Sequence, residues 1–386
     1  MFQLTDIPLS LYVHFPWCVK KCPYCDFNSH TLRGDIDEQE YIRTLLKDLD
    51  QQLSRWPQSR PLTSVFLGGG TPNLFGHQSV GQLLNGISQR FDLPGNAEVT
   101  MEANPGASSD SELEGYFHAG INRLSIGAQT FNFDHLRRLG RVHSGDDTAR
   151  MVDAAKASGF SNINIDLMFA LPDQSIDQLD LDLETALNME PTHLSCYQLT
   201  LEPNTLFYSH PPELPDESVT FEMQNRVVDT LGSADFHRYE VSAYSRSDRL
   251  CRHNLNYWQF GDYLAIGAGA HGKLTTDAGL IRTIREKHPR NYINKMSGDI
   301  DNSFAEVREV ADEELPFEFL LNGLRLRAGV SRDQYVNRTG KDWTQLIQKL
   351  SRPIDQKLIA LSDNGIACTD KGYWFIDSCL ESVLPG

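Results

Sequence analysis

The sequence predicts an α/β fold built on a parallel sheet, followed by a smaller α-rich domain. Three observations predict it. Short apolar runs alternate with longer amphipathic stretches six times before about residue 200, the pattern of strands joined by helical crossovers. Polar residues and glycines collect at the ends of the apolar runs. After residue 200 the alternation stops. An open doubly wound sheet and a barrel, complete or partial, both satisfy this pattern. In either, functional residues gather beyond the C-terminal ends of the strands.

SLYVHF (10–15) reads as the first strand. EQEYIRTLLKDLDQQL (38–53) spaces Tyr41, Leu45, Leu46, Leu49 and Leu53 as one helical face. SVFLGGG (64–70) is a strand ending in a glycine turn, followed by helical pattern over 79–91. EVTMEAN (98–104) is a strand, and SELEGYFHAG (111–120) a helix stopped by Gly120. NRLSIGAQ (122–129) and NINIDLMF (162–169) are strands with helical pattern between them. LDLDLETALNM (179–189) reads as a helix and HLSCYQLT (193–200) as a strand. The Pro-rich 201–217 is an irregular connection. A helix near 218–232, a strand at HRYEVSAYS (237–245), HNLNYW (253–258) and the small-residue turn IGAGAHG (266–272) follow. From about 305, AEVREVADEELPFEFLLNGLRL reads as helical, and the end suggests a hairpin and closing helix. Residues 1–245 are therefore expected to form the core, 246–300 a connecting region, and 301–386 a smaller winged-helix-like domain.

The 386-residue chain carries a net charge of −17 and no long basic run. That argues against nucleic acid as a partner, since phosphate binding needs clustered Lys and Arg. Seven cysteines, three of them clustered, do not resemble a secreted disulfide framework. The N-terminus has no signal-peptide pattern, and no stretch approaches a spanning helix. A cytoplasmic protein is expected, with transient membrane contact compatible.

The cluster is WCVKKCPYCDF, with Cys18, Cys22 and Cys25 in C-x3-C-x2-C spacing directly after the first strand. Structural zinc sites usually pair two C-x2-C units, and no second unit is present; His14 or His30 could still complete a zinc site. Three thiolates on a [4Fe–4S] cube, which ordinarily takes four, would leave one iron open. Gly68 to Thr71, Glu102, Gln129 and Asp166 all fall at or just past predicted strand ends, on the same rim as the cysteines. GGGTP (68–72) is a tight turn in its plainest reading, and equally a place where backbone can approach a ligand. HNLNYW packs an imidazole, two amides and two aromatics into six residues. It is either a loop with an aromatic anchor or a haem contact, since His can ligate haem iron and aromatics stack on the macrocycle.

The cysteine motif, with aromatic Tyr24 before its last cysteine, resembles the radical S-adenosylmethionine (SAM) family. YVHFPWC, GGGTP, MEANP, GAQTF, the Arg141 neighbourhood and NIDLMFALP are similar to the oxygen-independent coproporphyrinogen oxidase group of that family. The resemblance implies a partial (β/α)6 TIM-like barrel. It further implies a [4Fe–4S] cluster on Cys18, Cys22 and Cys25, with SAM chelating the open iron. It places SAM contacts at Tyr12, Tyr24, Gly69, Gly70, Thr71, Glu102, Gln129, Arg141 and Asp166. Glu102 and Asp166 can accept hydrogen bonds from ammonium or hydroxyl groups, Gln129 can donate and accept, and Arg141 can pair with a carboxylate.

H-N-x-x-Y-W resembles the motif of haem chaperones related to these oxidases. It implies haem at His253, with Tyr257 and Trp258 nearby. The oxidases carry a further cysteine two residues past the cluster motif, where this chain has Phe27. The resemblance therefore implies a haem chaperone rather than a decarboxylase. It would deliver haem to haem-requiring acceptors, respiratory membrane enzymes foremost, and is compatible with a homodimer. The decarboxylase is the alternative. The last domain also resembles the C-terminal domain of that group.

Overall fold

Leu9–Phe15 (β1) is buried on both faces, which is how a central parallel strand reads. A computed structural model describes residues 6–298 and 304–385. In it β1 pairs in parallel with Leu62–Gly69 (β2). The run continues through Glu98–Ala103 (β3), Arg123–Gln129 (β4), Ile163–Phe169 (β5) and His193–Gln198 (β6), each parallel to the one before. Helices α1 (Glu38–Arg55), α2 (His77–Ser88), α3 (Asp110–Ala119), α4 (Gly145–Ala157) and α5 (Ile176–Asn188) make the crossovers. Their starts are written in the sequence. Asp37 and Ser109 cap α1 and α3, and Ser144 and Ser175 form capping boxes with Asp147 and Gln178. Gly120 ends α3 in the left-handed region.

Leu9, Leu11, Val13 and Phe15 share the main core with Tyr41, Leu45 and Leu49 of α1. The other face of β1 carries Ser10, Tyr12 and His14. Ser10 meets Ser64 of β2 at 2.8 Å, and Tyr12 lies 6.2 Å ring to ring from Phe66. The interior of the partial barrel is thus polar and aromatic, and the aliphatic core lies between sheet and helices.

The region expected to be a connection carries sheet. Asp262–Ile266 (β7) adds in parallel to the free side of β1. His271–Thr276 (β8) and Gly279–Arg285 (β9) extend the sheet antiparallel, followed by helix α6 (Pro289–Ser297). Three readings need correction. AEVREV is not helical: Phe304–Glu309 is a strand paired with β9. As an outer strand with none of its side chains buried it needs no continuous apolar face. HRYEVSAYS is two short antiparallel strands, because Glu240 turns back to accept from its own Ser242 N–H (3.0 Å). HNLNYW is neither loop nor surface; it lies in the helix Arg252–Trp258.

Buried Arg285 donates Nε to Asp48 Oδ2 at 3.0 Å, and the Tyr292 hydroxyl donates to the same oxygen at 2.7 Å, tying β9 and α6 to α1. A second core, including Phe319, Leu324, Tyr335, Leu346 and Ile366, organises the C-terminal part. Its helices surround a three-stranded antiparallel sheet of Val330–Ser331, Gly365–Cys368 and Ile359–Leu361. Among the described residues no helix is long and apolar enough to cross a membrane.

Candidate functional site

Past β1 the chain enters the cysteine loop. Trp17–Cys18 pairs in parallel with His30–Thr31, closing a loop that carries Cys18, Cys22 and Cys25. Three contacts fix it from below. Asn28 donates to the carbonyls of Ala268 (2.9 Å) and Lys287 (2.8 Å), and the Asn28 carbonyl meets His14 Nε2 at 2.9 Å. Gly267 and Gly269 allow this approach: a Cβ on Gly269 would lie 2.2 Å from the Asn28 amide, and both glycines have positive φ. IGAGAHG is therefore a seat for the cysteine loop as well as a turn.

The GGGTP loop packs on the same segment. Gly70 N–H donates to Phe15 O (2.7 Å) and Thr71 N–H to Trp17 O (2.8 Å). A Cβ on Gly70 would meet Trp17 O at 2.5 Å, and one on Gly69 the His14 ring at 2.4 Å. Gly69 N–H is taken by Glu102 Oε2 at 2.9 Å. The N–H groups of residues 69–71 are thus spent on protein partners, and the glycines serve close backbone packing around the site.

All three cysteines, with Tyr24, Gly69, Gly70, Glu102, Gln129, Arg141 and Asp166, border one cavity of about 250 Å³ at the strand ends. Two predicted contacts stand apart from it. Tyr12 lies within the barrel, its hydroxyl 3.0 Å from His14 Nδ1. Thr71 borders an adjoining cleft and accepts from Asn104 Nδ2 at 2.7 Å.

Asn104 is a residue that the sequence reading passed over, although it stands in MEANP. Its amide donates to Thr71 while its Oδ1 accepts from Arg141 Nη2 at 2.6 Å, and its N–H donates to Asn73 Oδ1 at 3.0 Å. Arg141 Nη2 also donates to Gly127 O (2.7 Å), and its Nη1 lies 4.0 Å from Cys22 Sγ. Tyr197, also unforeseen, donates to Gln129 Oε1 at 2.7 Å. Gln129 adopts φ +68 at a break in the β4–β5 register, a sparsely populated conformation for a non-glycine residue.

The electrostatics are those of a site that expects a cation. Burial, and to a lesser degree the nearby Asp166 carboxylate, pushes Glu102 up to about 7 against the Gly69 hydrogen bond. Burial also raises Asp166, although Asn164 Nδ2 (2.8 Å) and Ser125 Oγ (3.2 Å) donate to it. Burial raises the Cys18 and Cys25 thiols; bound iron reverses that preference by stabilising thiolates. Among the described residues no three His, Cys, Asp or Glu are gathered tightly enough for a single ion. His14 has both ring nitrogens within hydrogen-bonding distance of protein partners, Tyr12 and Asn28, which leaves it no free lone pair for zinc. Three thiols opening into one cavity beside buried carboxylates and Arg141 fit a three-thiolate cluster with an amino-acid ligand better than a zinc plug.

His253 is elsewhere. It is 1% exposed, inside the barrel beneath this cavity. Its Nδ1 meets Ser64 Oγ at 2.8 Å and its Nε2 the Tyr257 hydroxyl at 2.7 Å. Phe66 stacks on its ring at 4.9 Å, and its N–H donates to Glu98. Burial, and to a lesser extent the Arg123 charge, lowers it to about 3, so it is neutral. Trp258 lies under the Arg325 guanidinium at 4.3 Å. The helix plugs the barrel, and both His253 nitrogens are engaged.

A parallel (β/α)6 run with a three-cysteine loop beyond its first strand defines a radical SAM protein, and residues 12–186 match the Radical SAM superfamily. Residues 310–375 match the HemN C-terminal domain. The chain is 43% identical over 381 residues to heme chaperone HemW of Haemophilus influenzae, covering 98% of both chains. It is 42% identical over 378 residues to HemW of Escherichia coli, again 98% of both. Mitochondrial radical S-adenosyl methionine domain-containing protein 1 of Danio rerio is 32% identical over 98% of this chain and 87% of its own. The chain belongs to the HemW family. Among solved structures, the fold is shared with coproporphyrinogen III oxidase HemN of Escherichia coli, at TM-score 0.83 and 19% identity over 98% of this chain and 90% of that one.

Proposed function

We propose that the protein is a haem chaperone that binds haem and passes it to haem-requiring acceptors, respiratory membrane enzymes foremost, and that it carries a [4Fe–4S] cluster with SAM. The full-length similarity to HemW relatives carries this reading. Phe27 supports it: at the mouth of the cysteine cavity the chain presents a 55% exposed phenyl ring where the oxidases have a thiol. In this reading Cys18, Cys22 and Cys25 hold the cluster, and Glu102 and Asp166 hold the SAM ammonium and hydroxyls. Arg141, steadied by Asn104, holds the carboxylate. A cluster with SAM bound supplies one-electron reducing chemistry; the residues around it orient the ligand and keep water away. The C-terminal part is proposed to be a separate unit, and a homodimer is compatible with the reading.

The role of His253 follows from its surroundings. Ligation by its Nε2 requires breaking the Tyr257 bond and opening the barrel floor. The test is a haem titration of reconstituted wild type and His253→Ala, with coproporphyrinogen turnover assayed alongside. Stoichiometric haem binding without turnover supports the reading; decarboxylation at a catalytic rate overturns it. Unchanged haem affinity in His253→Ala removes His253 as the ligand and leaves the chaperone reading standing.

A further inference from the structure

Behind the cysteine loop a second, larger cavity opens, of about 810 Å³. It shares a wall with the first: Ser29 borders both, and Trp17, next to Cys18, forms part of its side. Small-molecule sites usually run from about 300 to 1,000 Å³, so this cavity has room for a large flat ligand. The strand-end cavity, at about 250 Å³, does not.

The walls are built for an amphipathic guest. Trp17, Leu32, Ile36 and Ile293 line the cavity and are only half-buried, so each keeps apolar surface facing it. His288, at the start of α6, is exposed and lines the cavity. Among the described residues its ring makes an edge contact with His30 (5.4 Å between centroids) and neither of its nitrogens is hydrogen-bonded. Arg33 and Arg290 also line the cavity, exposed and without an ion-pair partner among the described residues. The wall is not uniformly basic: Asp35, Asp37 and Glu40 border it too. Asp37 is committed, capping α1 by accepting from Glu40 N–H at 2.8 Å.

An apolar trough, an imidazole with free nitrogens and two unpaired guanidinium groups call for one ligand chemistry. It is a flat apolar macrocycle that carries a metal with an open axial position and two carboxylates. We propose that this cavity is the entry site for haem, with His288 ligating iron and Arg33 and Arg290 pairing with the propionates. The inference rests on the chaperone reading and gives it a place. It moves haem contact from the buried barrel floor, where His253 has no free nitrogen, to an accessible surface. Of the two imidazoles that line the cavity, His30 has its Nε2 3.3 Å from the Lys287 carbonyl. His288 is the exposed one, and ligation through an exposed side chain suits a cargo that must leave again. Sharing the Ser29 wall, the site lies against the cluster loop without entering the SAM cavity.

The test titrates hemin, and separately haem dimethyl ester, into full-length protein with an intact cluster, following the Soret band. His288→Ala should change the Soret position and weaken hemin binding more than about tenfold, the scale of losing a strong directed contact. Arg33→Ala with Arg290→Ala should weaken hemin by about 10- to 100-fold and leave the ester, which lacks free carboxylates, unaffected. His253→Ala should keep the wild-type Soret position. These side chains at 33, 288 and 290 are exposed, so unaltered thermal melts are expected, and the arginine pair tests the site even if His288→Ala misfolds. Hemin binding that is unchanged in both surface variants, or lost only in His253→Ala, overturns the site while the chaperone reading stands. Failure of wild type to bind hemin at all overturns the chaperone reading itself, and this site with it.

Discussion

Glu102 gives the sharpest test of the site, because its carboxyl is buried and no cation among the described residues balances it. Replacing it with glutamine keeps an oxygen for Gly69 N–H and removes the charge. Burial raises the carboxyl from its ordinary 4.5 to about 7. At about 1.4 kcal/mol for each pH unit, ionising it in the folded protein costs about 3 kcal/mol relative to the unfolded chain. The folded state holds this proton more tightly than the unfolded state does. Its contribution is therefore full below about pH 4.5 and is lost as pH rises through about 7. Ligand-free Glu102→Gln should be more stable than wild type at about pH 8, by up to about 3 kcal/mol, with the gap closing toward about pH 5. Urea denaturation of the two proteins across that range measures it. SAM affinity should move the opposite way, since the ammonium loses its carboxylate partner. A difference between the two proteins that does not change with pH refutes the reasoning, and so does a glutamine variant that binds SAM as tightly as wild type.

The other predictions concern the same neighbourhood. Serine at Cys18, Cys22 or Cys25 should abolish the visible iron–sulfur absorbance after reconstitution, whereas serine at Cys196, Cys251, Cys368 or Cys379 should leave it. Asn104→Ala removes the partner of both Thr71 and Arg141; a lost bond to a charged group, about 1.5–3 kcal/mol, predicts SAM binding weaker by about 10- to 100-fold in calorimetry. Gly70→Ala drives a methyl to 2.5 Å from the Trp17 carbonyl and should cost about 1–3 kcal/mol together with impaired cluster loading, read by urea melts and iron content. Asp48→Ala strands the buried Arg285; breaking such a pair from one side costs about 3–5 kcal/mol, which a denaturation midpoint will show.

What could be read from the sequence was local. Each barrel strand is short, largely apolar and bounded by turn residues, so the six steps stand out. The cysteines and Glu102, Gln129 and Asp166 follow strands directly, so their convergence follows from topology. The anchoring of the cysteine loop could not be read this way. Asn28 reaches Ala268 and Lys287 across more than two hundred residues of chain, and such contacts leave no spacing signal; IGAGAHG offered only its small residues. HNLNYW misled because polar composition usually means surface. In a barrel with a polar interior the same residues are buried, and His253 finds Ser64 and Tyr257 inside. AEVREV misled for the opposite reason: an outer strand with none of its side chains buried can look like a helix with a solvated face.

Size and position separate the two chemistries that this fold could serve. A decarboxylase must bring its tetrapyrrole's side chain to the strand ends, where the cavity here is about 250 Å³ and bordered by the cluster residues themselves. Deeper in the barrel, outside that lining, His253 is packed between Ser64, Phe66 and Tyr257. Phe27 stands at the mouth with more than half of its surface exposed, and its carbonyl accepts from Lys21 Nζ (3.1 Å) and Ser29 N–H (2.7 Å). Phe27→Cys would add a thiol at the mouth without deepening the cavity into the barrel, where His253 stays packed. It should therefore leave coproporphyrinogen turnover absent while preserving the cluster absorbance and hemin binding. Turnover in Phe27→Cys would show instead that one side chain, and not the shape of the cavity, divides the chaperone from the enzyme.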